Sequence, residues 1–143
     1  MLFRSKMAEH EYTTTIEIRF ADLDAYGHVN NAVIFSYLET ARVKLFQEHS
    51  GDFMASGLFF LVVRAECDYR QPIALGDQLA ICIRVAKLGR SSFDLVYRLH
   101  DIKGKLFADA RTVMVCFDPK KGRPVSLPDD LRRTLAPILP TVE

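Results

Sequence analysis

Two carboxylates, a histidine and two asparagines lie within one short stretch of this chain: Asp22, Asp24, His28, Asn30 and Asn31. A carboxylate can serve as a general base toward water or as a nucleophile toward an acyl carbon. An apolar helical stripe begins just downstream. The first amides of a helix have no partner inside it, so they can receive a developing oxyanion, and the helix dipole favours negative charge at the same end. Gly27, between Asp24 and His28, would let the backbone approach a ligand closely. Each residue also has a plain reading. An Asp ahead of a helix is commonly a cap or turn former, which is the reading for Asp22 as a brace of the loop. Asn30 and Asn31 read as side-chain caps, with any function carried by their backbone. A lone histidine is more often structural.

The elements that must hold these groups can be read from hydrophobic period. Over residues 13–20, Thr14, Ile16, Ile18 and Phe20 alternate with Thr15, Glu17 and Arg19, the pattern of a half-buried strand. After the polar turn at 22–31, Ile34, Leu38, Ala41 and Leu45 recur at helical spacing, widened by Val33, Tyr37 and Phe46. Gly51 marks the end of the helix region, and residues 53–57 suggest a short turn. The period then becomes two. Leu61, Val63, Ala65, Cys67 and Tyr69 form one row up to Pro72; Leu79, Ile81, Ile83 and Val85 form the next. Phe93, Leu95, Tyr97 and Leu99 form another, Lys103-Gly104 reads as a hairpin turn, and residues 106–117 are the last strand before Asp118-Pro119. Residues 128–139 suit one short amphipathic helix. Tight links between successive strands imply an antiparallel sheet, and a single-striped helix must bury its stripe against that sheet. The expected architecture is therefore α+β, with five strands curved around one long helix.

The stretch from residue 19 to residue 42 reads Arg-Phe-Ala-Asp-Leu-Asp-Ala-Tyr-Gly-His-Val-Asn-Asn-Ala-Val-Ile-Phe-Ser-Tyr-Leu-Glu-Thr-Ala-Arg, with Tyr69-Arg70-Gln71-Pro72 and Gly76-Asp77 downstream. This pattern resembles the 4-hydroxybenzoyl-CoA thioesterase-like branch of the hot-dog superfamily. It is especially similar to bacterial acyl-CoA thioesterases with Asp-x-x-x-His-Val-Asn-Asn ahead of an aromatic-rich helix, and a similar segment occurs in plant acyl-carrier-protein thioesterases. The resemblance covers nearly the whole domain. It implies a hot-dog fold and hydrolysis of an acyl-CoA thioester to a carboxylic acid and CoA. Asp24 would be the nucleophile or general base, the backbone amide around Asn31 the oxyanion donor, and His28 a supporting, polarising group. Tyr26 and Gly27 would border the substrate. Arg90 and Ser91, at a hairpin end beside Lys87, would either meet the CoA phosphates, as in many hot-dog thioesterases, or form an exposed, solvated turn. No metal or other cofactor is implied. The resemblance further implies a homodimer formed edge to edge, or a homotetramer of two such dimers, with the acyl channel along the dimer seam.

Other residues read more simply. Glu39 and Arg42, three apart on the helix, suit a surface or interface ion pair, although some hot-dog relatives place a catalytic Glu on this helix. Glu66 and Asp68 with Arg64 and Arg70 suit cross-strand pairing. Phe35, Tyr37, Phe59 and Phe60 would line an acyl tunnel or form core and interface.

Composition bounds the remaining choices. The chain of 143 residues suits one domain, read as a loose leader at 1–10 and a single thioesterase domain at 11–143. With 19 basic and 18 acidic residues, nothing calls for nucleic acid or an anionic membrane as partner. The three cysteines include no C-x-x-C spacing and suit small core residues of a reducing compartment, so the cytoplasm is the expected location. Two other functions remain open: an acyl-carrier-protein thioesterase, marked by a basic face for the acidic carrier, and a non-catalytic acyl-CoA-binding domain. A hot-dog hydratase is disfavoured because its Asp and His stand five apart, whereas Asp24 and His28 stand four apart.

Overall fold

The computed structural model describes residues 5–8, 10–49 and 56–140. Its strands are β1 (Lys6–Ala8), β2 (Glu11–Ile16), β3 (Phe59–Tyr69), β4 (Leu79–Leu88), β5 (Ser92–His100), β6 (Leu106–Asp118) and β7 (Arg123–Pro124). One long helix, α1 (Asn31–His49), lies between β2 and β3, and a short one, α2 (Asp129–Leu135), follows the sheet. The strands form one antiparallel sheet in the order β1-β2-β4-β5-β6-β3, with β7 beside β6. Seven strands replace the expected five because β1 and β7 are only three and two residues long, too short for a periodic signal. β1 falls within the stretch read as a leader and pairs with β2.

The helix buries the expected stripe. Ile34, Tyr37, Leu38, Ala41, Leu45 and Phe46 are buried, against inward rows from β4 (Leu79, Ile81, Ile83, Val85) and β5 (Phe93, Leu95, Tyr97, Leu99). The expected helix end at Gly51 and most of the turn at 53–57 lie outside the described residues. Asn30 caps the helix: its Oδ1 accepts the Ala32 amide at 2.9 Å and its carbonyl accepts the Val33 amide at 2.9 Å. That satisfies two of the amides a helix start leaves open.

Two rows differ from expectation. The first strand ends at Ile16, and Phe20 is 80% exposed at the start of a 3-10 turn (Phe20–Asp22). Alternation continued past the strand because sequence period does not register where sheet pairing stops. In β3 a bulge falls between Val62 and Arg64. Phe60 and Val62 therefore share the inner face with Ala65, Cys67 and Tyr69, opposite Cys116, Met114, Thr112, Ala110 and Ala108. Leu61 faces outward with Arg64, and Val63 occupies the bulge, 59% exposed. The expected inner row held only from Ala65 onward. On the outer face Arg70 pairs with Asp109 across the strands at 3.1 Å, while Arg64 reaches Glu66 on its own strand at 3.4 Å.

α1 thus serves as the core's axis. Truncating Leu38, which has no exposed surface, should destabilise the protein by about 2–5 kcal/mol in urea unfolding, since both the transfer and cavity terms are lost.

Candidate active site

The turn between the 3-10 segment and α1 is closed by backbone bonds on both arms. Asp24 N donates to His28 O at 2.8 Å, Asn30 N donates to Asp22 O at 2.9 Å, and Leu23 pairs with Val29 as an antiparallel bridge. Val29 N donates to Ile73 O at 2.8 Å, which ties the turn to the segment entering β4. At its tip Gly27 has φ +79°, a left-handed conformation that a side chain would strain. The space around it is open, so the glycine is required by backbone angle and not, within one chain, by close approach.

Asp22 fastens this turn to the helix. Its carboxylate, 2% exposed, accepts the Tyr37 hydroxyl at 2.6 Å, the Arg19 amide at 3.0 Å and the Arg19 guanidinium at 2.9 and 3.2 Å. Burial by itself raises this carboxyl, but the Tyr37 and Arg19 donors outweigh it and hold the group below its ordinary value of 3.8. The brace expected at Asp22 is therefore present, with Tyr37, read from sequence only as core or tunnel, as a main partner.

Asp24 is half-buried, and its Oδ1 accepts the Tyr26 amide at 2.9 Å and, more distantly, the His28 amide at 3.4 Å. These bonds orient the carboxylate as in an Asx turn. Among the described residues its Oδ2 has no hydrogen-bond partner. His28 is exposed and Tyr26 is 86% exposed, both on the outer side of the turn. Of the helix-start amides, those of Asn30, Ala32 and Val33 are bonded within the turn and cap. The Asn31 amide makes no bond found among the described residues. The Asn31 carbonyl accepts the Tyr69 hydroxyl at 3.0 Å, joining the helix start to the end of β3.

Arg90 and Ser91 are not brought to this turn. They form the β4–β5 hairpin, where Arg90 Nε donates to Ser126 Oγ at 3.3 Å and both carbonyls accept backbone amides. The Asp24 turn abuts the opposite end of β4, and a strand of ten residues spans about 30 Å at 3.3 Å per residue. The two groups therefore cannot share a site within one copy. Spacing along the sequence could not reveal this, because it does not say at which end of a strand a hairpin lies relative to the helix start. The cysteines are unsuited to nucleophilic work: burial raises the Cys67 and Cys82 thiols to about 11. Among the described residues no group of three or more His, Cys, Asp or Glu is placed to hold a metal ion.

A sheet curled around one helix, with an aspartate-bearing turn at the helix start, is the hot-dog fold of thioester hydrolases. Residues 18–135 match the Thioesterase-like superfamily, and the chain belongs to it. It is 35% identical to the long-chain acyl-CoA thioesterase FadM of Escherichia coli, over 85% of this chain and 95% of that protein. It is 33% identical to a 1,4-dihydroxy-2-naphthoyl-CoA hydrolase of Synechococcus elongatus, over 88% of this chain and 94% of that protein. Among solved structures, a Thermus thermophilus thioesterase complexed with coenzyme A and Zn superposes with a TM-score of 0.76 at 39% identity, covering 88% of this chain and 92% of that one.

The Asp22 brace yields a test. A carboxyl whose folded value is depressed contributes stability above its unfolded value, and that contribution is lost as pH falls through the folded value. Thermal unfolding followed from pH 6 downward should show stability falling once pH drops below about 3.8. Asp22→Asn should lower the unfolding temperature at pH 6 and flatten that acid limb.

Proposed function

We propose that the protein hydrolyses acyl-CoA thioesters, with Asp24 as the catalytic carboxylate and the Asn31 amide as the oxyanion donor. The arrangement of the turn carries this reading. One oxygen of Asp24 is held by backbone amides while, among the described residues, the other has no partner and the Asn31 amide, which follows the closing arm of the same turn, makes no bond. The relatives named as acyl-CoA thioesterases support the substrate class.

Two routes use these groups. In one, Asp24 Oδ2 attacks the thioester carbon, the oxyanion rests on the Asn31 amide, and its collapse expels the CoA thiolate to leave an anhydride that water opens. In the other, Asp24 takes a proton from a water that attacks the same carbon. His28 polarises the substrate carbonyl from the outer side of the turn, and Tyr26 and Gly27 border the entrance. No step requires a metal or a prosthetic group.

The working unit in this reading is a homodimer, with a tetramer of two dimers as its larger form. Among the described residues β3 pairs only with β6, which leaves its other edge, eleven residues long, open. Phe59, Leu61, Val62 and Val63 along it are exposed, a combination that invites a second strand. Arg90 and Ser91 then serve CoA only at the site of the other copy, since their own lies at the far end of the sheet. Three unbridged thiols suit a reducing compartment, consistent with the cytoplasm, and among the described residues no helix is long and apolar enough to cross a membrane.

A panel of short, long and aromatic acyl-CoAs, run with the wild type and with Asp24→Ala and Asp24→Asn, tests the mechanism. Both variants should fold and lose about 100-fold or more in the chemical step. Wild-type turnover by a folded Asp24→Ala would sink the role given to Asp24. Absence of hydrolysis of every thioester by the wild type would favour a binding domain.

A further inference from the structure

α1 carries a cation in an unusual place. Arg42 lies on the buried stripe, 7% exposed, between Ala41 and the residues packed on β5. Its Nη1 donates to the Tyr97 hydroxyl at 3.2 Å, and that hydroxyl is 2.7 Å from Thr112 Oγ1. Both are neutral groups, and burial pushes the Tyr97 phenol further from ionisation. Among the described residues no carboxylate lies within ion-pair distance of Arg42. A guanidinium removed from water without an opposite charge is costly. One turn earlier, Glu39 is exposed, and among the described residues its carboxylate makes no hydrogen bond or ion pair. The pair suggested by their spacing therefore does not form within the chain.

Both residues border the open edge of the sheet. Glu39, Arg42 and Val62 line a groove between α1 and β3 that continues in one direction past Ser36 and Ala65 and in the other past Val43 and Phe46. The middle of β3 thus lies beside the middle of α1. A two-fold axis that paired β3 with its copy near residues 62–65 would cross the stretch of groove that Glu39 and Arg42 line with Val62. Three residues span about 4.5 Å of helix. An axis through that stretch would set each acid opposite the other copy's base, as a self-complementary interface requires.

We propose that Glu39 of each copy forms an ion pair with Arg42 of the partner subunit, so that the buried guanidinium gains its counter-charge only in the dimer. The inference rests on the edge-to-edge dimer above and adds what selects and registers it. Apolar edge contacts tolerate sliding, whereas two reciprocal ion pairs are satisfied in a single register. The open edge accordingly prefers a second copy of this chain to an unrelated strand.

Sedimentation velocity over a range of concentrations, with circular dichroism to verify folding, tests this on the full chain. Glu39→Arg and Arg42→Glu should each weaken the homodimer tenfold or more, because each places like charges together twice. Mixing the two variants in equal amounts should restore a stable heterodimer. An ion pair within one chain could not produce that rescue. Glu39→Gln, at an exposed position, gives a measurement independent of whether Arg42→Glu folds, and it should also weaken the dimer. A dimer indifferent to Glu39→Arg and Glu39→Gln overturns the inference, as does failure of two folded variants to pair on mixing. Unchanged dimers with Arg42→Gln impaired only toward carboxylate-bearing acyl-CoAs would overturn it too, giving the guanidinium to the substrate. A wild-type chain that stays monomeric refutes the dimer on which the inference stands.

Discussion

The hydrogen bond from Tyr37 to Asp22 joins the two parts of the molecule that the candidate chemistry needs together. Tyr37 belongs to the buried stripe of α1, so its position is set by packing against the sheet. Asp22 belongs to the turn, and its carbonyl takes the Asn30 amide that begins the cap. Through this contact the geometry of a polar surface turn is inherited from a hydrophobic core. The bond is charge-assisted and buried, so breaking it leaves a carboxylate without part of its solvation. Asp24 itself contributes almost nothing to the core and can face outward because Asp22 performs the anchoring.

If Asp24 and the Asn31 amide act as proposed, this division of labour explains how so small a chain offers catalytic groups without a triad. A general base or nucleophile needs a fixed direction, and an oxyanion donor must not be occupied already. Backbone amides give Asp24 its direction, and the Asn30 cap occupies its neighbours' amides while sparing that of Asn31. Catalytic potential here is a matter of which backbone groups the local fold leaves unpaired.

The sheet has the opposite character at its β3 end. Among the described residues every other long strand is paired on both sides, whereas β3 exposes an edge, an apolar row and a groove containing a buried cation. Such an edge is a liability in a monomer and an asset in a symmetric assembly. In the proposed homodimer a two-fold would bring opposite ends of two sheets into one neighbourhood, and with them Arg90 of one copy and the turn of the other.

Much of this was legible from sequence because period and local chemistry are properties of short segments. The stripe Ile34, Leu38, Ala41 and Leu45 declares a helix with one buried face, and the rows in β4 and β5 declare their inner faces. Asp24, Gly27 and the asparagines declare a turn and cap, and the extended segment around them declares the family. What the sequence could not declare depends on pairing partners distant along the chain. The bulge at Val63 exists only relative to β6, and it reversed the faces assigned to Leu61 and Val62. That Tyr37 serves Asp22, that Arg42 is buried rather than solvated, and that Arg90 lies a full strand from Asp24 are decided by how the helix sits in the sheet. Local sequence determines what each segment can do, and tertiary packing determines which groups meet, because proximity between distant residues is set by the closing of the core around α1.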